Sequence, residues 1–403
     1  MDDRRYYGLD ALRGLMMVLG IVLHSALLYL AEPPARMPVP TDRNNSYLFD
    51  VLFHFIHGFR MPTFFVLAGF FAAMLVDKRG LWQTYRNRAA RVLVPLVVAL
   101  VLLGPLSGLL FADFMLSARY GTHDLVPNLP QLKAFVAEMK GKGIPMDEPA
   151  TGHFWFLYFL CMFYLLLPLL RFVIRHSGLA GPSVGRWLVS PATLVVFSLL
   201  TAITLWPFPG GQVLEGFQFF RPEWRALVYY FSFFALGYFF YAHRGFLQGL
   251  GRWVRGLAGL AIVFFPLSLY LTHLEMAAGP SAMGLHEATV LVHALCTWTL
   301  VYLFIGAALR YFDYESPWIQ YLARSAFWVY LLHFAVVMGA GWWLLQFDLP
   351  ASVKFVLVVG FTAAVCFLSY HYGVQKSWVS VLLNGRRFHQ RWPWQSPRST
   401  SDD

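Results

Sequence analysis

Apolar stretches of roughly 17 to 25 residues, the length that crosses a ~30 Å hydrocarbon core as a helix, recur ten times along this 403-residue chain. They fall at 9–30, 48–76, 92–112, 153–174, 190–206, 226–241, 254–275, 286–309, 325–345 and 351–372. A backbone in lipid finds no water for its amides, so each crossing segment has to close its hydrogen bonds within itself, as a helix does. The expected fold class is an all-α polytopic membrane protein of about ten transmembrane helices. Only 13% of the residues are charged, about half the share usual in a soluble domain. Little chain remains for a separate soluble unit, and no internal repeat is evident. The expected organisation is one membrane domain over 1–385 and a basic, disordered tail over 386–403 that ends in SPRSTSDD.

The net charge of +10 is distributed unevenly over the loops. With ten spans, twenty Lys and Arg residues fall on the side of the termini and eight on the opposite side. That asymmetry puts both termini in the cytoplasm and argues against nucleic acid as a partner. The three cysteines, Cys161, Cys296 and Cys366, lie inside apolar segments at spacings that suit neither a disulfide framework nor a metal site. No HExxH pattern and no Walker or Rossmann glycine motif occurs, so no metal, nucleotide hydrolysis or redox cofactor is expected.

The informative residues are the ionisable ones inside the apolar segments. Arg13 and His24 lie eleven residues apart in GLDALRGLMMVLGIVLHSALLYL. Eleven steps of ~100° return to within ~20° of the start, so both side chains share one helix face, roughly 16 Å apart along the axis. A central arginine costs at least ~2.5 kcal/mol in hydrocarbon, so such groups face a protein interior or a watered cavity. The second span carries His54, His57 and Arg60 at three-residue steps, which makes them neighbours, with Arg60 near mid-membrane. Asp10, one turn before Arg13, permits an i, i+3 ion pair. Arg86, Arg88 and Arg91 form a basic cluster that equally suits contact with phospholipid headgroups. His153 and Trp155 open the fourth apolar stretch, Tyr330 and His333 lie inside the ninth, and Glu275, His286 and Glu287 flank the loop between the seventh and eighth.

The string RMPTFFVLAGF is the most specific in the chain. Together with LDALRG and His24 in the first span, GHFWFLYFL at the fourth and FWVYLLH ending at His333, it resembles the integral-membrane acyltransferase 3 family. The resemblance runs in order along most of the chain. The FHFIHGFRMPTFFVLAGFF and GHFWFLYFL blocks look most like the branch whose members are described as transferring succinyl groups to periplasmic glucans. One departure is Ala68 before Gly69, where the family commonly has serine, so no role falls to a serine there.

The resemblance implies a membrane O-acyltransferase of the bacterial inner membrane. It would take an acyl group, in the first place succinyl, from cytoplasmic acyl-coenzyme A as co-substrate, with no tightly bound cofactor, and esterify a hydroxyl of a periplasmic glucan; the alternative is O-acetylation of another surface polysaccharide or of a lipid-linked sugar. Such a transfer needs a base for the hydroxyl proton and donors for the developing oxyanion. His24 suits the base because imidazole titrates near neutrality. Arg60 suits the oxyanion or the free carboxylate of a succinyl group, with Asp10, His57 and Glu287 as further catalytic candidates. Arg13, the Arg88 and Arg91 pair that matches the family's RxxR pattern, and His333 are candidates for holding the coenzyme, since guanidinium binds phosphate by bidentate charge-assisted bonds. His153, Trp155 and His54 are candidates for the acceptor sugar. A reading of a different class, a transporter of glycans or anions lined by the buried Arg and His, calls for repeated halves with matching broken helices.

Overall fold

The computed structural model describes residues 5–34, 40–123, 128–141, 148–178, 181–214, 219–278, 284–390 and 392–395. Among these the backbone is helical apart from turns and loops, with a single isolated bridge between Ala150 and Phe219. Fourteen α-helices follow in chain order: α1 (Tyr7–Leu27), α2 (Tyr47–Arg88), α3 (Val94–Tyr120), α4 (Leu129–Gly141), α5 (Trp155–Leu165), α6 (Leu167–His176), α7 (Pro182–Leu188), α8 (Ala192–Leu205), α9 (Trp224–Ala242), α10 (Val254–Ala278), α11 (Leu285–Tyr311), α12 (Pro317–Leu344), α13 (Ala351–Ser369) and α14 (Trp378–Asn384).

Each of the ten apolar stretches falls on helix. By length and composition, six helical runs suffice to cross a membrane, and eight if the bent pairs α5 with α6 and α7 with α8 each count as one span. The stretches at 48–76 and 92–112 belong to one continuous run, Tyr47–Tyr120, of 74 residues. Straight, that run would measure about 110 Å, several times a bilayer core. It breaks at Gly80, whose φ of 77° and ψ of 168° are open only to glycine, and again at the π-turn Ala89–Leu93. Ser46 caps its start by accepting from the Leu48 amide.

Apolar side chains face outward on the peripheral helices, with Ile262 of α10 75% exposed, Ile203 of α8 72% and Val101 of α3 66%. Such a surface is stable in lipid and costly in water. In the interior, α1 packs against α2, α11 and α12, and α2 packs against α9 along much of its length. Small residues allow the closest approaches. A side-chain carbon added at Gly69 would collide with the Phe234 carbonyl oxygen, and one at Gly237 with that of Val66. The connection between α1 and α2 is pinned by Asp50, which accepts from the amides of Ala31 and Glu32, and by Asp42, paired with the buried Lys354 of α13 at 2.6 Å. The fold therefore fixes α1, α2 and α12, the helices that carry the ionisable residues, at its centre.

Of the segment expected as a disordered tail, 386–390 and 392–395 lie within the described residues. Here they pack against the protein. The Phe388 amide donates to the Gln375 carbonyl, the Trp392 ring stacks on His371 at 3.6 Å, and Trp394 stacks on Trp392 at 4.7 Å. Tryptophan stacking of this kind holds an otherwise polar segment to the protein. Residues 391 and 396–403 lie outside the described set.

Candidate active site: two cavities joined at Phe156

The common face predicted for Arg13 and His24 is observed, and each side chain opens into a different cavity. His24 lines a cavity of about 480 Å³ together with His57, Arg60, His153, Tyr330 and His333. Helix α1 supplies the first, α2 the next two, the 3₁₀ turn Gly152–Phe154 the fourth, and α12 the last two. The imidazole of His24 lies 5.2 Å, centroid to centroid, from that of His333 and 5.2 Å from the Phe334 ring. The ring of His153 lies 5.8 Å from that of His333 and stacks on Phe334 at 4.9 Å.

The imidazoles of His57, His153 and His333 are held by backbone carbonyls. His57 donates from Nε2 to the Val213 carbonyl at 2.9 Å, which leaves its Nδ1 as the acceptor nitrogen. His153 donates from Nε2 to the Leu331 carbonyl at 3.3 Å, while its own carbonyl accepts from the Tyr330 hydroxyl at 2.7 Å. His333 donates from Nδ1 to the carbonyls of Val329 and Tyr330, at 2.9 and 2.8 Å. Arg60 is buried, and its guanidinium lies against Gly20 of α1: a methyl at Gly20 would come within 2.5 Å of Nη1. A buried guanidinium among imidazoles in an apolar wall provides donors for a developing negative charge and acceptors for a proton.

The second cavity, about 600 Å³, is lined by Asp10, Arg13, Arg88, Arg91, Ala68 and Asn384, among others. Arg13 is held by Asp10 at 3.2 Å and donates to the Ala323 carbonyl, and its guanidinium sits 5.5 Å from the Phe71 ring. Asp10 also pairs with Arg5 at 3.2 Å. Arg88 lies over the Tyr164 ring at 5.4 Å. Gly385, past the end of α14 with φ of 80°, packs directly on the Arg91 guanidinium. Phe156 lines both cavities.

The arrangement brings together residues the sequence predicted separately and divides others. Arg13, Arg88 and Arg91 share the basic cavity with Asp10. His24, His57, Arg60 and His153 share the histidine cavity. His333, expected among the coenzyme ligands, opens instead into the histidine cavity. Its spacing placed it on α12 but could not say which helix α12 would face. Trp155 lines that cavity, with its ring engaged by Phe159 at 5.2 Å and Tyr230 at 5.1 Å. His54 is not among the lining residues and bonds through Nδ1 to Gln212 at 3.1 Å. Glu287 is exposed at the start of α11, away from both cavities. The carboxylate in that region that is buried, Glu275, accepts from His286 at 2.8 Å and from the Gly210 amide at 3.0 Å.

Tyr330 was named without a role, and Gly20, Phe156 and Gly385 were missed. Tyr330 stands three residues before His333 and Gly20 four before His24, steps that put each on its partner's face. Phe156 and Gly385 carry no such signal, since their roles come from contacts between distant segments.

The profile of the acyltransferase 3 family, described as an acyltransferase domain, matches residues 6–371. The chain belongs to the acyltransferase 3 family. Curated relatives named glucans biosynthesis protein C, from Salmonella schwarzengrund (strain CVM19633) and Salmonella heidelberg (strain SL476), are each 22% identical over 391 residues, covering 95% of both chains. No solved structure matches the chain at a significant level. This family member is thus a multi-pass membrane protein, helical over its described residues, with an acyltransferase domain, and the match takes in the residues singled out in the two cavities except Arg5, Asn384 and Gly385.

Proposed function

We propose that this acyltransferase takes an acyl group from acyl-coenzyme A in the basic cavity and esterifies a carbohydrate hydroxyl in the histidine cavity. The single observation that supports this reading is the pair of cavities, one rich in guanidinium and one in imidazole, meeting at Phe156. In the proposed complex Arg13, Arg88 and Arg91 bind the coenzyme's phosphates, and the pantetheine arm carries the thioester past Phe156. His24 takes the hydroxyl proton and Arg60 holds the thioester oxygen as it becomes an oxyanion. The loop charge asymmetry supports cytoplasmic termini and an even number of spans, and in the proposed arrangement the basic cavity opens to the cytoplasm while the acceptor arrives from the opposite face. The favoured acyl group is succinyl, in line with the branch of the family that the FHFIHGFRMPTFFVLAGFF and GHFWFLYFL blocks resemble. The favoured acceptor is a glucan, in line with the printed name of the relatives.

The test uses purified protein in detergent with succinyl-coenzyme A and a glucan acceptor. Release of free thiol together with a glycan mass gain of one succinyl group supports the reading. A gain of one acetyl group, seen only with acetyl-coenzyme A, changes the donor. No thiol release with any donor, alongside glycan or anion flux in vesicles, replaces the enzyme with a transporter.

A further inference from the structure

The histidine cavity holds a lone pair that the mechanism above leaves unused. His333 is 2% exposed, and its Nδ1 faces two carbonyl oxygens at 2.9 and 2.8 Å. Two acceptors on one ring nitrogen fix the tautomer, so Nδ1 carries the proton and Nε2 carries the lone pair. That Nε2 is buried without a hydrogen-bond partner among the described residues. A buried polar atom left unmet is destabilising, a cost that an apolar side chain at this position would avoid.

Position sharpens the point. A methyl at Gly20 would lie 3.5 Å from His333 Nε2 and 2.5 Å from Arg60 Nη1. Gly20 is one turn nearer than His24 to the Arg13 end of α1. The two imidazoles are adjacent, with centroids 5.2 Å apart, and Nε2 of His333 lies close to Gly20, on the turn of α1 nearer Arg13, which in the proposed complex is the side of the thioester. His24 then stands on the acceptor side.

We propose that His333 is a second catalytic imidazole, which delivers a proton to the departing sulfur; this rests on the acyl-transfer reading. The acceptor oxygen bonds to the thioester carbonyl carbon while its proton passes to His24. Collapse of the tetrahedral intermediate breaks the carbon–sulfur bond, and the electron pair leaves on sulfur. The proton moves from His24 to Nε2 of His333 and on to the thiolate. The products are an ester and a thiol, both imidazoles end neutral, and nothing beyond the thioester and the alcohol is consumed.

The experiment compares two donors carrying the same acyl group: the coenzyme A thioester, whose alkyl thiolate needs a proton, and an S-phenyl thioester, whose aryl thiolate departs without one. His333→Asn keeps an N–H where Nδ1 was and removes Nε2, and His333→Gln serves as a second variant if the first does not fold. Retained binding of coenzyme A reports an intact protein. The expected result is a loss of turnover of about 100-fold with the coenzyme thioester, the usual scale of positioned proton transfer, but only a small loss with the phenyl thioester. His24→Ala should depress both donors alike. Equal losses on both donors in the His333 variants, or no loss on either, overturn the relay. If the unsubstituted protein transfers from neither donor, the acyltransferase reading itself fails.

Discussion

The two cavities flanking Phe156 are similar in size and opposite in chemistry. In the basic cavity the charges are partly open to solvent and lightly held: Arg13 shares Asp10 with Arg5, and Arg88 rests on an aromatic face. Such contacts exchange readily for those of an anionic ligand. In the histidine cavity Arg60, His153 and His333 are buried, and the imidazoles of His57, His153 and His333 are tied to backbone carbonyls, which fixes which nitrogen donates and which accepts. The contrast teaches that one helix, α1, can serve both recognition and chemistry, provided its two polar residues sit at different depths. Recognition of phosphate favours mobile charge near water, whereas proton transfer favours fixed rings away from it.

The comparison breaks first at His24. Replacing it with alanine is expected to lower turnover by at least ~100-fold while leaving coenzyme affinity unchanged, as read by thiol release and by equilibrium binding. Near-normal turnover would remove it from the chemistry. Gly20→Ala comes next. The added methyl must push the Arg60 guanidinium aside, so turnover should fall roughly 30-fold, short of the ~100-fold that a 1 Å misplacement can cause. Because alanine is the better helix former by ~0.5–1 kcal/mol, thermal stability should hold or rise, and a parallel loss of stability would contradict the proposed cause.

On the other side of Phe156, Arg13→Ala should raise the KM for acyl-coenzyme A about tenfold with little change in kcat, the loss of one charge-assisted bond of ~1.5 kcal/mol. The effect should shrink with added salt and vanish for a short thioester without phosphates. The same loss on the short donor would place Arg13 in the chemistry instead. The smallest effect belongs to Gly385→Ala. A side-chain carbon there displaces the Arg91 guanidinium and strains a backbone with φ of 80°, so a several-fold rise in donor KM is expected, again absent for the short donor.

Much of this was legible in the residues. The apolar stretches announced the helices because a backbone in lipid has to satisfy itself locally, a requirement written into each segment. Arg13 and His24 share a face for the same reason: the 100° step is a property of the helix alone. His54, His57 and Arg60 were likewise neighbours by spacing, yet only two of them line the cavity, because the Gln212 and Val213 segment decided where each imidazole bonds.

By itself, then, the sequence determined the helices, the face each polar residue occupies and its depth along the axis, all of which follow from local hydrogen bonding and a fixed period. The tertiary structure alone decided that His333 stands beside His24, that Phe156 lines both cavities, that Gly20 admits the Arg60 guanidinium and that Gly385 packs on Arg91. Those pairings depend on how distant helices interlock. The interlocking is set by side-chain shape and by glycines at crossing points, which no local period encodes.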